Sequence, residues 1–144
     1  MLKELPIGIG LIPCENVIED IRTRKKSIIG IISKITADSF PFTIQSLNIL
    51  ISLTGCTANF PCRLKCVHDE TRQEILNVKC DIKPSGVHDV VDVLVTFKTL
   101  KFPEPGSYTF SVVAEGIPIM FRPIIVSERV KKPVPPNEGP TGNQ

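Results

Sequence analysis

Apolar and polar residues alternate with a period of two along most of this chain, in short runs that are separated by turn-forming residues. Successive side chains of a β-strand point to opposite faces of a sheet, so this alternation predicts strands with one buried face. The clearest run is residues 47–54, where leucine or isoleucine occupies every second position. Because no segment carries a strong apolar stripe of helical period, we expect an all-β chain.

Further segments that predict strands are residues 28–35, 62–66, 76–82, 91–97, 108–114 and 117–126. Residues 28–35 are apolar on both faces, which favours a central strand covered on two sides. Pro118 and Pro123 remove backbone donors from the last strand, so we expect it at a sheet edge or with a bulge. Residues 5–12 are expected to be extended, and residues 15–21 fit either a strand or one helical turn. About seven or eight strands with short connections indicate an antiparallel β-sandwich.

The composition divides the chain into two regions. We predict a β-sandwich domain over residues 1–128, because a chain of 144 residues is long enough for one hydrophobic core. Residues 129–144 are rich in proline and glycine and contain almost nothing to bury, so we expect a disordered tail there.

The charge of the chain bears on its partners. A formal net charge of +2 gives no field that would attract nucleic acid or an anionic membrane. The most basic run, Arg22 with Arg24, Lys25 and Lys26, is interpreted as a solvated turn. No apolar stretch approaches the ~18 residues of a membrane span, and the N-terminal residues do not fit a secretory signal, so we expect a cytoplasmic protein. Carbohydrate binding is not expected, since the chain has no tryptophan and one tyrosine to stack on a sugar.

Five cysteines stand out, and they are Cys14, Cys56, Cys62, Cys66 and Cys80. The last four lie close together in the sequence, which raises a zinc hypothesis. However, Cys62 and Cys66 would lie ~13 Å apart on a strand that rises ~3.3 Å per residue, too far to share one ion. A hairpin whose loop spans residues 69–73 would place Cys62 opposite Cys80, and a slip of two residues would place Leu64 there instead. We expect reduced core thiols rather than a disulfide or a metal site.

The sequence contains no recognised catalytic motif. Its two histidines, His68 and His88, are expected in exposed turns or loops, and neither belongs to a nucleophile elbow or a metalloprotease motif. The carboxylates form no calcium-binding loop. We therefore expect no catalytic residue, no cofactor and no metal, and we predict that the protein is not an enzyme.

Four segments of the chain occur in an order that is found in a known family: Cys14-Glu15, Ile28-Ile29-Gly30-Ile31, Phe40-Pro41 and Phe102-Pro103-Glu104-Pro105-Gly106-Ser107-Tyr108-Thr109-Phe110. Over residues 10–126 the chain resembles a family of small, mainly bacterial proteins that is catalogued as a domain of unknown function. The resemblance implies an antiparallel, immunoglobulin-like β-sandwich. One departure is the absence of tryptophan, which removes the Cys…Trp…Cys core of typical immunoglobulin domains. The resemblance implies no activity.

Leu50 and Leu94 are the candidate contact residues, because both are apolar and fall on the outer faces of predicted strands. If they are exposed, they form an apolar patch for a protein partner or for self-association; alternatively, the N-terminal segment covers them. The favoured hypothesis is a non-enzymatic binding or structural module. Two alternatives stay open: a thiol-dependent enzyme, redox or metal-binding protein that uses Cys56, Cys62, Cys66 or Cys80, and a subunit of a larger viral or secretion-type assembly.

Overall fold

A computed structural model describes residues 5–56, 59–84 and 89–130, and within these ranges the chain forms eleven strands and no helix. The strands are β1 (Ile7–Glu19), β2 (Lys26–Ile31), β3 (Lys34–Ala37), β4 (Phe42–Ile44), β5 (Leu47–Thr54), β6 (Phe60–His68), β7 (Glu74–Ile82), β8 (Val91–Phe97), β9 (Leu100–Phe102), β10 (Gly106–Ala114) and β11 (Ile117–Glu128). The all-β prediction is confirmed. The predicted strand number was too low, because short strands also form between the longer ones. Predictions for His88 and for the tail beyond residue 130 lie outside the described residues.

The strands form three sheets. Sheet A has the order β2-β1-β5-β8, sheet B has the order β3-β11-β10-β6-β7, and β4 pairs with β9. All pairs are antiparallel except β3 with β11, which run parallel. The prediction of a purely antiparallel fold was therefore wrong at one edge, where the chain crosses from sheet A and runs beside the last strand.

The core lies between sheets A and B. The inward positions of β5 are buried, and the inward positions of β6 and β10 join them in one apolar cluster. Its largest fully buried members include Leu47, Ile49, Ile51, Leu53, Leu64, Tyr108 and Phe110. Burial of one such side chain contributes about 1.5–3 kcal/mol. The two-residue alternation of the sequence therefore becomes two facing apolar layers.

The prediction of one central strand over residues 28–35 was wrong. Ile29 and Ile31 are exposed on β2, which is the edge of sheet A, whereas Ile35 is buried on β3 at the edge of sheet B. Between them, Ile32 donates its N–H to Pro13 O of β1 at 2.8 Å. The apolar run therefore divides between two sheets, because β-branched content favours extended backbone but does not select its neighbours.

The prediction for the last strand is confirmed. β10 and β11 have a register shift between Val112 and Val113, which marks a bulge. β3 pairs only with the end of β11, from Ile125 to Glu128, so the earlier part of β11 is an edge among the described strands. The β6–β7 hairpin has its loop over residues 69–73 and pairs Cys62 with Cys80, which selects one of the two registers left open by the sequence.

Candidate functional site

Leu50 and Leu94 are directly opposite one another on the neighbouring strands β5 and β8. Ile12 of β1 is opposite Leu50 on its other side. All three side chains are half-buried on the outer face of sheet A. The structure therefore joins the two candidate contact residues into one apolar row across that face, and it leaves neither of them fully exposed.

The far end of the β1–β2 hairpin extends past β5 beside this row. β1 pairs with β5 as far as Cys14 opposite Asn48, and beyond that point β1 pairs with β2 alone. Asn48 is 7% exposed, and it donates a hydrogen bond from Nδ2 to Glu15 O at 3.0 Å. Its Oδ1 accepts a hydrogen bond from Thr96 Oγ1 of β8 at 2.8 Å. One buried amide therefore holds three strands together where the hairpin departs.

Hydrogen bonds also order the tip of the hairpin. Asp20 N–H donates to Lys25 O at 2.9 Å, and Arg24 N–H donates to Asp20 O at 2.8 Å. The Asp20 carboxylate accepts bonds from the N–H groups of Arg22 and Thr23, a local side-chain pattern that is typical of tight turns. Arg24 has a φ of 62°, in the left-handed region. The basic run lies in an exposed turn as far as Lys25, as predicted, and Lys26 begins β2.

A cleft of about 490 Å³ lies between the hairpin and the outer face of sheet A. We call it the hairpin cleft, and its lining residues are Val17, Arg24, Lys25, Lys26, Ile28, Leu50 and Asp92. Val17 and Ile28 are opposite one another in the β1–β2 pair and form an apolar floor with Leu50. Asp92 accepts a hydrogen bond from Ser52 Oγ at 2.6 Å. The cleft therefore combines apolar side chains with cations.

In the sequence, the two halves of this cleft are separate features. The strand pattern singles out Leu50, which lines the cleft, together with Leu94, which is opposite Leu50 on β8 but is not a lining residue. The basic run was interpreted as a solvated turn. No signal in the sequence linked them, because the contact depends on how the hairpin lies relative to β5 and β8.

The cysteines form a buried group rather than a reactive one. All five are free and buried, as expected. Burial raises the pKa of Cys62 to about 11 and that of Cys66 to about 12, and it also raises the pKa of Cys80. A thiolate is the nucleophile and the metal ligand, so these environments disfavour both roles. Within the three described ranges, no group of three or more metal-ligating side chains is placed to hold an ion.

The interpretation of His68 as an exposed turn residue was wrong, since it is 2% exposed. Its Nδ1 accepts hydrogen bonds from the N–H groups of Glu70 and Thr71, both at 3.2 Å. Its Nε2 lies 3.0 Å from Pro105 O, a carbonyl that can only accept, so this nitrogen carries the proton. His68 ties the β6–β7 turn to the loop before β10 and has a structural role.

Phe121 of β11 is 65% exposed. Its position in the register places it with Pro123 and Ile125 on the outer face of β11. The three residues form a second exposed apolar surface, which we call the β11 stripe. The buried positions of this part of β11 are Ile124 and Val126, so alternation puts Phe121 on the other face.

A family model described as "Family of unknown function (DUF6941)" matches residues 11–127. This match agrees with the resemblance that the sequence motifs indicated over nearly the same residues. No curated protein matches this chain. The described part of the chain contains no helix, and therefore no helix that is long and apolar enough to cross a membrane.

Proposed function

This chain belongs to the DUF6941 family, and we propose that it is a non-enzymatic module that binds a protein partner through the hairpin cleft. The observation that carries the proposal is the composition of the cleft: Leu50 and the Val17–Ile28 pair form an apolar floor beneath a rim of cations. Apolar side chains that are left half-covered at a concave surface gain free energy when a partner buries them. The proposed role needs no catalytic group.

The competing thiol hypothesis has less support. A thiol enzyme needs a cysteine with a lowered pKa in a partly exposed, electropositive site. Cys62 and Cys66 have raised pKa values of about 11 and about 12 and lie in the core. These values weigh against a nucleophilic or redox role for the cysteine group.

A second candidate, self-association, is favoured by the β11 stripe. Phe121 and Ile125 are both more than half exposed, and they lie four residues apart on one face of β11. Aromatic side chains are frequent anchors of protein interfaces. Light scattering across a range of protein concentrations tests this candidate: self-association that Phe121→Ser abolishes supports it, and a monomer at all concentrations contradicts it.

Partner capture tests the proposed function. The wild-type protein, the double variant Leu50→Ala/Leu94→Ala and the control Phe121→Ala are immobilised and exposed to lysate of the native cell, after each has been shown to fold. We expect a protein that wild type and Phe121→Ala retain and that the double variant loses. A partner that all three proteins retain equally would place binding elsewhere, and no retained partner would contradict the proposal.

We also propose that the fold is immunoglobulin-like. In that interpretation β1, β5 and β8 correspond to strands A, B and E of one sheet, and β6, β10 and β11 correspond to C, F and G of the other. Tyr108 supports it, because its hydroxyl donates to Glu104 O four residues upstream in the manner of a tyrosine corner. An experimental structure tests it, and β8 paired into sheet B would contradict it.

A further inference from the structure

Resting on the proposed function, we propose that the hairpin cleft selects an acidic segment of the partner protein. One aliphatic side chain of that segment packs on the apolar floor, and carboxylates on either side of it meet the basic rim.

The first support is the charge of the rim. Arg24, Lys25 and Lys26 line the cleft together with a single carboxylate, Asp92, which is three positive charges against one negative charge. In the described part of the chain these three cations make no ion pair. The neighbouring Arg22 does make one, with its Nε 3.8 Å from Asp20 Oδ1. Because Asp92 offsets only one of these three charges, the lining keeps a net positive charge, and a complementary partner is acidic.

The second support is the order of the hairpin tip. The hydrogen bonds from Asp20 N–H to Lys25 O and from Arg24 N–H to Asp20 O close the turn on the backbone. Arg24 adopts a φ of 62°, where a non-glycine residue is uncommon and asparagine or glycine is preferred. The turn holds Arg24 in a conformation that glycine adopts at lower cost, so the side chain at this position can be changed to glycine without strain. An ordered rim also reduces the conformational entropy lost on binding.

The third support is the form of the floor. Val17, Ile28 and Leu50 line the cleft together, while the neighbouring Ile18 and Ile29 are exposed. In an extended partner segment, residues two positions apart face the same way, ~6.6 Å apart at ~3.3 Å per residue. A leucine with acidic residues two positions before and after it therefore presents all three side chains to the cleft.

The test uses a defined probe, a fluorescein-labelled peptide of the order Glu-Ser-Leu-Ser-Glu, and measures binding to the full chain by fluorescence anisotropy. We expect Lys25→Glu/Lys26→Glu to weaken binding about tenfold and raised salt to weaken wild-type binding. Arg24→Gly keeps a turn-compatible residue, so we expect an intact fold and binding about threefold weaker. The matched control Lys98→Glu/Lys101→Glu changes the net charge equally at two exposed lysines outside the cleft and is expected to bind as wild type does.

Several outcomes overturn the proposal. One is equal binding of a peptide in which lysine replaces both glutamates, and another is equal loss of binding in the control variant. Undetectable binding of the acidic peptide at millimolar concentration also overturns it. Tighter binding to vesicles of phosphatidylserine and phosphatidylcholine, or to a single-stranded oligonucleotide, would assign the rim to lipid or nucleic acid instead.

The same variants separate this inference from the proposed function. A captured partner that Leu50→Ala/Leu94→Ala loses but Lys25→Glu/Lys26→Glu retains would support the proposed binding module. It would contradict the selection of an acidic segment. A partner that neither double variant loses would contradict both. A partner that both double variants lose supports both.

Discussion

His68 and Tyr108 meet at one end of sheet B, where their rings lie edge to face with centroids 4.8 Å apart. Phe102 also packs edge to face against Tyr108, with ring centroids 5.1 Å apart. The Tyr108 hydroxyl donates to Glu104 O, and His68 Nε2 donates to Pro105 O. At the scale of residues, two buried side chains therefore satisfy the carbonyls of a loop that has two prolines and few backbone donors of its own.

Replacing His68 with phenylalanine tests this arrangement. His68→Phe keeps an aromatic ring but removes the acceptor for Glu70 and Thr71 and the donor to Pro105 O, so we expect the free energy of unfolding to fall by about 1–3 kcal/mol. Urea denaturation measures the change. A variant as stable as wild type would mean that water or other groups replace all three bonds.

Cys66 gives a prediction about pH. Burial raises the pKa of its thiol from 9.0 to about 12, so the folded state holds the proton more tightly than the unfolded state does. The stabilising contribution is complete below pH 9 and is lost as the pH rises from 9 towards 12. We expect the stability of wild type to fall more steeply above pH 9 than that of Cys66→Ala. Denaturation curves across this range check it, and equal slopes would contradict it.

At the scale of elements, the two sheets depend on how their strands begin and end. β10 begins at Gly106, with a φ of 145° and so close to His68 that an added Cβ would overlap Nε2 of the ring. β11 begins after Gly116, which has a φ of 76° and no atom within 4 Å of an added Cβ. The two glycines therefore have different requirements: Gly116 needs only its conformation, whereas Gly106 also needs the absence of a side chain.

Alanine at each position separates these requirements. Gly106→Ala must displace the buried imidazole, and we expect a loss of about 2–4 kcal/mol in the free energy of unfolding. Gly116→Ala introduces only backbone strain, so we expect the free energy of unfolding to fall by about 1 kcal/mol. Thermal or urea denaturation of the matched pair checks the difference. Equal losses would show that the ring moves aside at little cost.

At the scale of the whole molecule, sheets A and B share one apolar cluster. Leu53 contributes from β5, and Leu64 and Phe110 contribute from β6 and β10, all fully buried. Neither sheet can bury its apolar face without the other, so we expect them to unfold together. The hairpin cleft lies on the opposite face of sheet A, outside this shared core.

The single tyrosine makes cooperativity measurable, because the chain has no tryptophan and Tyr108 lies in sheet B. We expect tyrosine fluorescence and far-ultraviolet circular dichroism to give the same unfolding midpoint. Leu53→Ala in sheet A should lower that midpoint about as much as Leu64→Ala in sheet B, since each removes about 2–5 kcal/mol. Separate midpoints, or a Leu53→Ala effect absent from the tyrosine signal, would indicate two independent units.

The sequence by itself determined the all-β class, most strand positions, the β6–β7 hairpin and the burial of the cysteines. These depend on two-residue alternation and turn chemistry, which are local and are visible wherever one face of a strand is buried. It also identified Leu50, Leu94 and the basic run, although as unrelated features.

Only the tertiary structure decided which features become neighbours. It divided residues 28–35 between two sheets, buried His68, exposed Phe121 and placed Arg24 and Leu50 in the lining of one cleft. Alternation specifies that a side chain points to one face or the other, but not which strand, loop or hairpin lies across that face. That choice depends on contacts between residues far apart in the chain, and the hairpin cleft is made of such contacts.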